Sequence, residues 1–297
     1  MTNKFARFLF CAMLVVATLI LASCGNEEKK TQRIKIVASF YPMYISALNV
    51  TDGVENVEVV NLTNGRAGCL HDYGLTTENM RVLSDADILV VNGGGMEEFL
   101  EQAKKECPKL KIIDATEGAE IDWIKDEHGV NSHVWMNIRY NIDEVNNIAN
   151  GLAKLDAEHA SVYRTNARLY EEKLLNLETE ISAMVEDLGT RDIITFHDAF
   201  PYFVREFNLN IVASLEATPG HNPSPQEVAE IIEKIRPLQR KVIFTEAQYS
   251  PEAAEMIAYE TGAQIFALDP VVTGESDKGA YIEAMRKNAR ILREALR

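Results

Sequence analysis

The sequence predicts an α/β protein with two lobes, each a mostly parallel four-stranded sheet flanked by helices, joined by one long rigid helix. Two observations carry this prediction. Apolar strands alternate with helices in two separate stretches of the chain, a pattern typical of parallel sheets that are covered on both faces. Between these stretches, residues 156–188 contain neither Gly nor Pro and repeat apolar residues in steps of four and three, the period of a helix with one buried face.

The chain begins with the pattern of a secreted lipoprotein precursor. Two basic residues precede an apolar run from Phe8 to Ala22, and the run ends in Leu-Ala-Ser-Cys at Cys24. Because the run is too short to span a bilayer, it predicts a signal peptide over 1–23. Small residues directly before a Cys resemble a bacterial lipobox, so we expect Cys24 to be lipidated and residues 24–33 to form a polar tether. The alternative is ordinary cleavage near Ala22, with Cys24 as an unmodified thiol.

The composition is acidic, with 30 basic and 45 acidic residues and a net charge of −15. A surface of this sign argues against nucleic acid as a partner and is favourable to cations. The 4 cysteines are too few for a disulfide framework. With Cys11 in the signal peptide and Cys24 lipidated, Cys69 and Cys107 remain, and the sequence leaves open whether they are free.

The first lobe is predicted over residues 34–155. Four apolar runs are typical of strands there, at 33–38, 57–62, 87–92 and 110–114. Helices are predicted after the first three strands, at 42–50, 77–83 and 97–106. Gly93-Gly94-Gly95, before the last of these helices, indicates a tight turn between strand and helix or else a cradle for an anion.

Residues 156–188 are predicted to form the connecting helix. Asp156 can cap its first turn, Gly189 can take the left-handed conformation at its exit, and Gly151 lies outside it. At about 1.5 Å per residue the helix would be about 50 Å long, more than one small domain needs. We therefore expect a rigid spacer between two lobes. The alternative is an ordinary core helix in one large domain.

The second lobe is predicted over residues 189–297 and repeats the plan of the first. Its strands are expected at 192–196, 210–214, 241–245 and 264–268. Its helices are expected at 225–235, 251–261 and 278–296. The mature chain is long enough for two such lobes, each with its own core.

Four residues with metal-binding side chains are expected near the carboxyl ends of these strands, where open α/β sheets bind ligands. They are His71 and His133 in loops of the first lobe, and His197 and Asp269 at strand ends of the second. Three imidazoles and one carboxylate that face one cleft suit a tetrahedral site for a first-row metal. Taken singly, each His could be an ordinary surface residue, and Asp269 before Pro270 could belong to a turn.

Other candidates are weaker, and the sequence leaves open whether they assist binding: Glu127, His128, His221 and Cys69. Cys69 lies two residues before the first candidate histidine, but a small buried apolar role suits it better. His159 falls in the first turn of the predicted connecting helix, where we expect it to be solvated.

The chain resembles the bacterial zinc/manganese solute-binding receptors of ABC importers, the ZnuA-like family, from about Ile34 to the C-terminus. Five stretches carry the resemblance, and they occur in the family's order: His71-Asp72-Tyr73-Gly74-Leu75-Thr76, His133-Val134-Trp135-Met136, Phe196-His197-Asp198-Ala199-Phe200-Pro201-Tyr202, Phe244-Thr245-Glu246-Ala247-Gln248-Tyr249 and Leu268-Asp269-Pro270. Asn131-Ser132 stands where the family usually has Asp-Pro, which leaves the orientation of His133 open.

The resemblance implies an extracytoplasmic receptor and not an enzyme. His71, His133, His197 and Asp269 would hold Zn(II) as cargo in the interlobe cleft, and an ABC permease with its ATPase would receive it. Mn(II) or another divalent metal is the alternative cargo. We expect a monomer, held by lipid on the outer face of the cytoplasmic membrane, or in the periplasm of a double-membrane bacterium.

Two other classes of function are considered. A zinc-dependent hydrolase could use three histidines around an open metal position, with Glu246 as general base. Against it, the sequence has no His-Glu-x-x-His motif and no nucleophile elbow, and Asp269 as a fourth ligand would close the site. A receptor for an iron chelate, or an adhesin of the same plan, would leave the histidine motifs unexplained.

Overall fold

Two four-stranded, all-parallel sheets form the framework of the protein. The computed structural model describes residues 33–63, 70, 73–126, 129–216, 223–248 and 250–297. Within it, Ile34–Arg297 is one compact unit. The predicted signal peptide and Cys24 lie outside the described residues. In the part of the chain that is described, no helix is both long enough and apolar enough to cross a membrane.

The first lobe carries the four strands that the sequence predicts, each within one residue of the expected bounds. They are β1 (Ile34–Ala38), β2 (Val57–Asn61), β3 (Ile88–Val91) and β4 (Lys111–Asp114). Their spatial order is β2-β1-β3-β4, and β3 is buried along its whole length, as expected for a central parallel strand. A short antiparallel hairpin follows, made of β5 (Lys125–Asp126) and β6 (Gly129–Val130).

Helices flank the first sheet. They are α1 (Tyr41–Val50), α2 (Thr77–Ser84), α3 (Leu100–Glu106) and α4 (Ile138–Leu155), with a 3₁₀ turn at Val134–Met136 before α4. Thr76 begins α2 through a reciprocal pair of hydrogen bonds with Asn79, a capping box that satisfies two free N–H groups of the first turn.

The Gly-rich turn after β3 encloses the carboxylate of Glu97. The backbone N–H of Asn92 donates to Glu97 Oε1 at 2.8 Å, and that of Gly93 donates to Glu97 Oε2 at 3.1 Å. Gly93 has a φ of +87°, and a Cβ there would lie 2.1 Å from Asp114 Oδ1. Because the turn donates to its own chain, the structure favours the tight turn over the anion cradle. After this turn, α3 begins at Leu100 and not at the predicted Glu97.

The sequence does not predict α4, and Gly151 is expected to lie outside the connecting helix. Gly151 lies inside α4, where a Cβ would come within 2.8 Å of the Ile113 side chain. The missing side chain thus allows α4 to approach β4 closely, at the helix-propensity cost of a glycine.

The connecting helix is shorter than predicted. It is α5 (Ala160–Met184), 25 residues and about 37 Å long. Asp156 does not begin it but ends α4, since Asp156 Oδ2 accepts a hydrogen bond from the Tyr163 hydroxyl and contacts His159 Nδ1, both at 2.7 Å. At the other end the C-cap is Val185, and Gly189 lies beyond it, donating its N–H to the Leu296 carbonyl oxygen.

The second lobe repeats the plan with four parallel strands: β7 (Asp192–His197), β8 (Asn210–Glu216), β9 (Val242–Glu246) and β10 (Gln264–Leu268). Their spatial order is β10-β9-β7-β8. Its helices are α6 (Pro201–Glu206), α7 (Pro225–Ile235), α8 (Glu252–Thr261) and α9 (Ala280–Leu296). The predicted strands and the three predicted helices are all present, and α6 is an additional short helix.

One hydrophobic core runs through both lobes. It joins buried residues of β1 and β3 to the inner faces of α4 and α5, and continues through β9 to α9. A second, smaller cluster lies under α7 and α8 in the second lobe, with Ile194, Ile231 and Ile257 among its members. Because α5 packs against α1 of the first lobe and α9 of the second, it is part of the shared core as well as a connector.

Candidate metal centre

His133 and His197 lie side by side, although they come from different lobes. Their ring centroids are 5.2 Å apart, with the rings at 78° to each other. The two residues are 2% and 1% exposed. His197 ends β7, as the rule for open sheets predicts, and His133 directly precedes the 3₁₀ turn. The structure therefore brings together two of the four predicted ligands.

Glu246 lies beside His197 at the end of the neighbouring strand β9. Its Oε1 is 3.4 Å from His197 Nδ1, and its Oε2 accepts a hydrogen bond from Gln248 Nε2 at 2.7 Å. Burial raises the pKa of Glu246, while contact with His197 acts in the opposite direction. A carboxylate on Nδ1 orients the ring and leaves Nε2 for a ligand. From the sequence, Glu246 is expected only as the general base of the hydrolase alternative, because its contact with His197 depends on β9 lying next to β7.

Asn131 makes the corresponding contact with His133. Asn131 Oδ1 accepts the backbone N–H of His133 at 3.0 Å and lies 3.0 Å from His133 Nδ1. On its other side, Asn131 Nδ2 donates to the carbonyl oxygen and to Oδ2 of Asp198, both at 2.8 Å. The open question of how His133 is oriented after Asn131-Ser132 is thus answered by the Asn side chain itself.

Asp269 is held in a strained turn after β10. Its backbone N–H donates to Asn288 Oδ1 at 2.9 Å, and its Oδ1 accepts the N–H of Val271 at 2.7 Å. Val271 has a φ of +60°, a left-handed conformation that costs a β-branched residue about 1–3 kcal/mol. Burial raises the pKa of Asp269, and the Asp269 charge contributes to the raised pKa of Glu246. A nearby cation would offset both of these effects.

The predicted four-ligand set is not assembled among the described residues. His71 lies outside them, and within them no three His, Cys, Asp or Glu side chains are arranged to hold a metal ion. The described residues next to His71 belong to the first lobe. Leu70 is buried, and its carbonyl oxygen accepts the N–H of Tyr73 at 2.9 Å. The Tyr73 ring packs edge-on against Phe99.

The structure describes few of the weaker candidates. Cys69, Glu127, His128 and His221 lie outside the described residues. Cys107 is a free, buried thiol. His159, expected to be solvated, is half-buried at the N-cap of α5 and contacts Asp156.

The model of one protein family matches residues 36–295, which include both sheets and the helix between them. That family is described as "Zinc-uptake complex component A periplasmic", abbreviated ZnuA. The chain belongs to this family. ZnuA-type proteins are solute-binding receptors and not enzymes, so the hydrolase alternative is set aside.

Two relatives show how much of the chain is similar to known proteins. The chain is 26% identical to the high-affinity zinc uptake system protein ZnuA of Bacillus subtilis (strain 168) over 309 residues, covering 96% of each protein. It is 29% identical to the zinc-binding protein AdcA of Streptococcus pyogenes serotype M1 over 290 residues, covering 88% of this chain and 56% of AdcA. The chain therefore spans about half the length of the AdcA relatives that it matches.

A solved structure confirms the two-lobed fold. The solute-binding protein FpvC from Pseudomonas aeruginosa, in complex with Mn²⁺, superposes with a TM-score of 0.80 at 29% identity, covering 89% of this chain and 98% of FpvC. The same protein in complex with Ni²⁺ gives a TM-score of 0.78 at 30% identity, covering 89% and 97%.

Proposed function

We propose that this protein captures Zn(II) between its lobes outside the cytoplasm and delivers it to an ABC permease with its ATPase. The observation that supports this most is the buried pair His133 and His197, which reach each other from different lobes at a centroid distance of 5.2 Å. Imidazole nitrogen is a preferred ligand of zinc, and zinc lies above manganese in intrinsic affinity. The names of the relatives ZnuA and AdcA also favour zinc.

The proposed ligands are His71, His133, His197 and Asp269, two from each lobe. Each histidine must be neutral and the carboxylate ionised, so binding releases protons wherever these groups were protonated. With three nitrogens and one oxygen, all four positions of a tetrahedral ion would be filled by protein. Such a closed site is suited to holding cargo and leaves no position for substrate chemistry.

We expect loading to move the lobes little and to rearrange loops instead. Two polar contacts between the lobes and their shared core support this. Tyr41 Oη donates to the Glu275 carbonyl oxygen at 2.8 Å, Lys278 pairs with Asp52 at 2.6 Å, and the single core of α4, α5 and α9 extends under both sheets.

The proposal includes a lipid anchor at Cys24 and a monomeric receptor, on the outer face of the cytoplasmic membrane or in the periplasm of a double-membrane bacterium. The lipobox supports the anchor. So does the name of one relative, the zinc-binding lipoprotein AdcA of Streptococcus pneumoniae, which is 26% identical over 298 residues.

A manganese receptor is the second candidate. Its supporting observations are the Glu246 carboxylate beside His197, since oxygen ligands favour the harder ion, and the Mn²⁺ complex of FpvC. Glu246 lies against Nδ1 of His197, however. This contact suits a group that orients the His197 ring better than a group that binds the metal in place of His197.

The test is a competition titration of metal-free protein with zinc and manganese, in wild type and in His133→Ala and His197→Ala. Each ligand variant should lose zinc affinity by more than about 100-fold. His159→Ala, at the N-cap of α5 where the ring contacts Asp156, is the matched control and should bind as wild type does. Wild-type affinity in both ligand variants would overturn the proposal, and a preference of wild type for manganese would select the second candidate. Elemental analysis of protein purified without added metal identifies the resident ion.

A further inference from the structure

The side chain of Asn131 links the segment of His133 to the segment of His197 across the lobes. Its Oδ1 faces His133, with both the backbone N–H and Nδ1 at 3.0 Å. Its Nδ2 faces Asp198, the residue directly after His197, at 2.8 Å from each of two oxygens. The Asn131 carbonyl oxygen also accepts the Tyr202 hydroxyl at 2.7 Å. Asn131 is 8% exposed, so these bonds compete little with water.

The amide can have only one orientation. If it were flipped, its NH₂ group would face the backbone N–H of His133, donor against donor. Its oxygen would then face the carbonyl oxygen and carboxylate of Asp198, acceptor against acceptor. With Oδ1 turned towards His133, the nitrogen that fits beside it is a protonated Nδ1. The lone pair of His133 must then be on Nε2, the other ring nitrogen.

We propose that Asn131 is a positioning residue for metal capture: it selects the Nδ1–H tautomer of His133 and ties that ring to the strand end that carries His197. The inference rests on the proposed function in taking both histidines as ligands. Metal-binding histidines generally owe their tautomer to such a partner. Here the partner is the neutral amide of Asn131, which also bonds across the lobes to Asp198. One residue therefore sets both the orientation of His133 and its separation from His197.

The tautomer can be measured without any metal. Nitrogen NMR of the imidazole rings in labelled, metal-free protein distinguishes the two neutral forms, and the His133 signals are assigned by their loss in His133→Ala. Wild type should show the Nδ1–H form. Asn131→Ala should show a mixture of both tautomers. An Nε2–H form in wild type, or an unchanged Nδ1–H form in Asn131→Ala, overturns the inference.

Zinc affinity provides the second readout. Asn131→Ala should weaken zinc binding by about 10- to 100-fold. Asn166→Ala is the matched control, because Asn166 Nδ2 also donates to two oxygens, those of Val50 and Asp52, at 3.0 and 2.8 Å, far from the site. It should bind zinc as wild type does. Wild-type zinc affinity in Asn131→Ala, with or without a change of tautomer, overturns the positioning role.

The two proposals fail differently. If His133→Ala keeps wild-type zinc affinity, the proposed ligand set is wrong, while the tautomer measured in metal-free protein is unaffected. If His133→Ala loses zinc binding but Asn131→Ala does not, the ligand set stands and the role of Asn131 is rejected.

Discussion

Trp135 Nε1 donates a hydrogen bond to the carbonyl oxygen of Pro270 at 2.9 Å. Trp135 belongs to the 3₁₀ turn directly after His133, and Pro270 directly follows Asp269. The Trp135 carbonyl oxygen in turn accepts the Tyr281 hydroxyl at 2.7 Å. The predicted ligands His133 and Asp269 are remote in sequence, and this hydrogen bond joins the two segments that carry them.

Trp135→Phe should weaken zinc binding by about tenfold, because the strained turn at Asp269 loses its tie to the segment of His133. The lost hydrogen bond should cost about 1 kcal/mol of unfolding free energy, and the smaller ring adds a cavity cost because Trp135 is fully buried. Tyr163→Phe removes the hydrogen bond to Asp156 in the first turn of α5 and serves as the control. It should lose about 1 kcal/mol of stability with no change in zinc affinity, as measured by chelator competition and urea unfolding.

His197→Glu should narrow the preference for zinc over manganese. Wild type should prefer zinc by several orders of magnitude, since the proposed set holds three nitrogens and one oxygen. The substitution exchanges one nitrogen for an oxygen and gives two of each. Competition titrations with both ions measure the ratio in each protein. A ratio that stays the same, or zinc affinity that survives the loss of His197, would contradict the proposed ligand set.

The strands were predictable because buried parallel strands are continuous apolar runs, and such runs occur in both halves of the chain. The position of His197 followed directly, since it ends one of them. The bounds of the connecting helix were not predictable from local preference. Asp156 is a good N-cap residue in isolation, but its side chain bonds to Tyr163 and so belongs to the turn between α4 and α5.

Leu174→Pro should cost about 3 kcal/mol or more, because it breaks α5 at a position that is 0% exposed in the shared core. The milder Leu174→Ala should cost about 2–5 kcal/mol. Leu169→Ala, at a position 44% exposed on the same helix, should stay within about 0.5 kcal/mol of wild type. Urea unfolding followed by circular dichroism and by tryptophan fluorescence should give one coincident transition in every variant that folds. Two separate transitions would mean that the lobes unfold independently.

Stability should fall as the pH rises from about 5 to about 8. Burial raises the pKa of Glu144 to about 8, while the hydrogen bond from Asn141 acts in the opposite direction. The folded protein therefore keeps this proton where the unfolded chain has lost it, and the resulting stability is full below the ordinary pKa and is lost as the pH approaches 8. Burial also raises the pKa of Glu206 to about 8, which adds to the same slope.

Glu144→Gln should flatten this slope and raise the unfolding free energy at pH 8, by an amount on the order of a few kcal/mol. Urea unfolding at several pH values measures it. Glu180→Gln is the contrasting control, since the hydrogen bond from Arg286 lowers the pKa of Glu180 and its contribution is lost as the pH falls. It should leave the slope between pH 5 and 8 in place. A Glu144→Gln variant with the wild-type slope would show that another group carries the effect.

Cys24→Ser should release the protein from the membrane fraction or leave the precursor unprocessed, because the lipid would have no thiol to attach to. Fractionation and mass spectrometry of the mature N-terminus measure both results. Cys107→Ser, at a buried thiol, is the control and should stay in the membrane fraction. Normal processing and membrane retention of the Cys24 variant would argue against lipidation.

The roles of Asn131 and Glu246 could not be predicted from their own neighbourhoods in the sequence. Each acts on a histidine through the tertiary arrangement: Glu246 meets His197 because β9 lies next to β7, and Asn131 meets Asp198 across the lobes. Sequence patterns identify a ligand more easily than the residue that orients it, because a ligand needs a particular side chain while its partner needs only an acceptor at the right place.

The core that passes through α4, α5 and α9 also limits how this receptor can be recombined. Lobes with separate interiors can be exchanged between relatives as modules, each bringing its own metal preference. Here a lobe taken from a relative would have to match the other along a buried seam, where a mismatch of a single methylene costs stability. We therefore expect metal preference in chimeras and in natural divergence to change by point substitutions around the ion, and lobe exchange to yield mostly chains that do not fold.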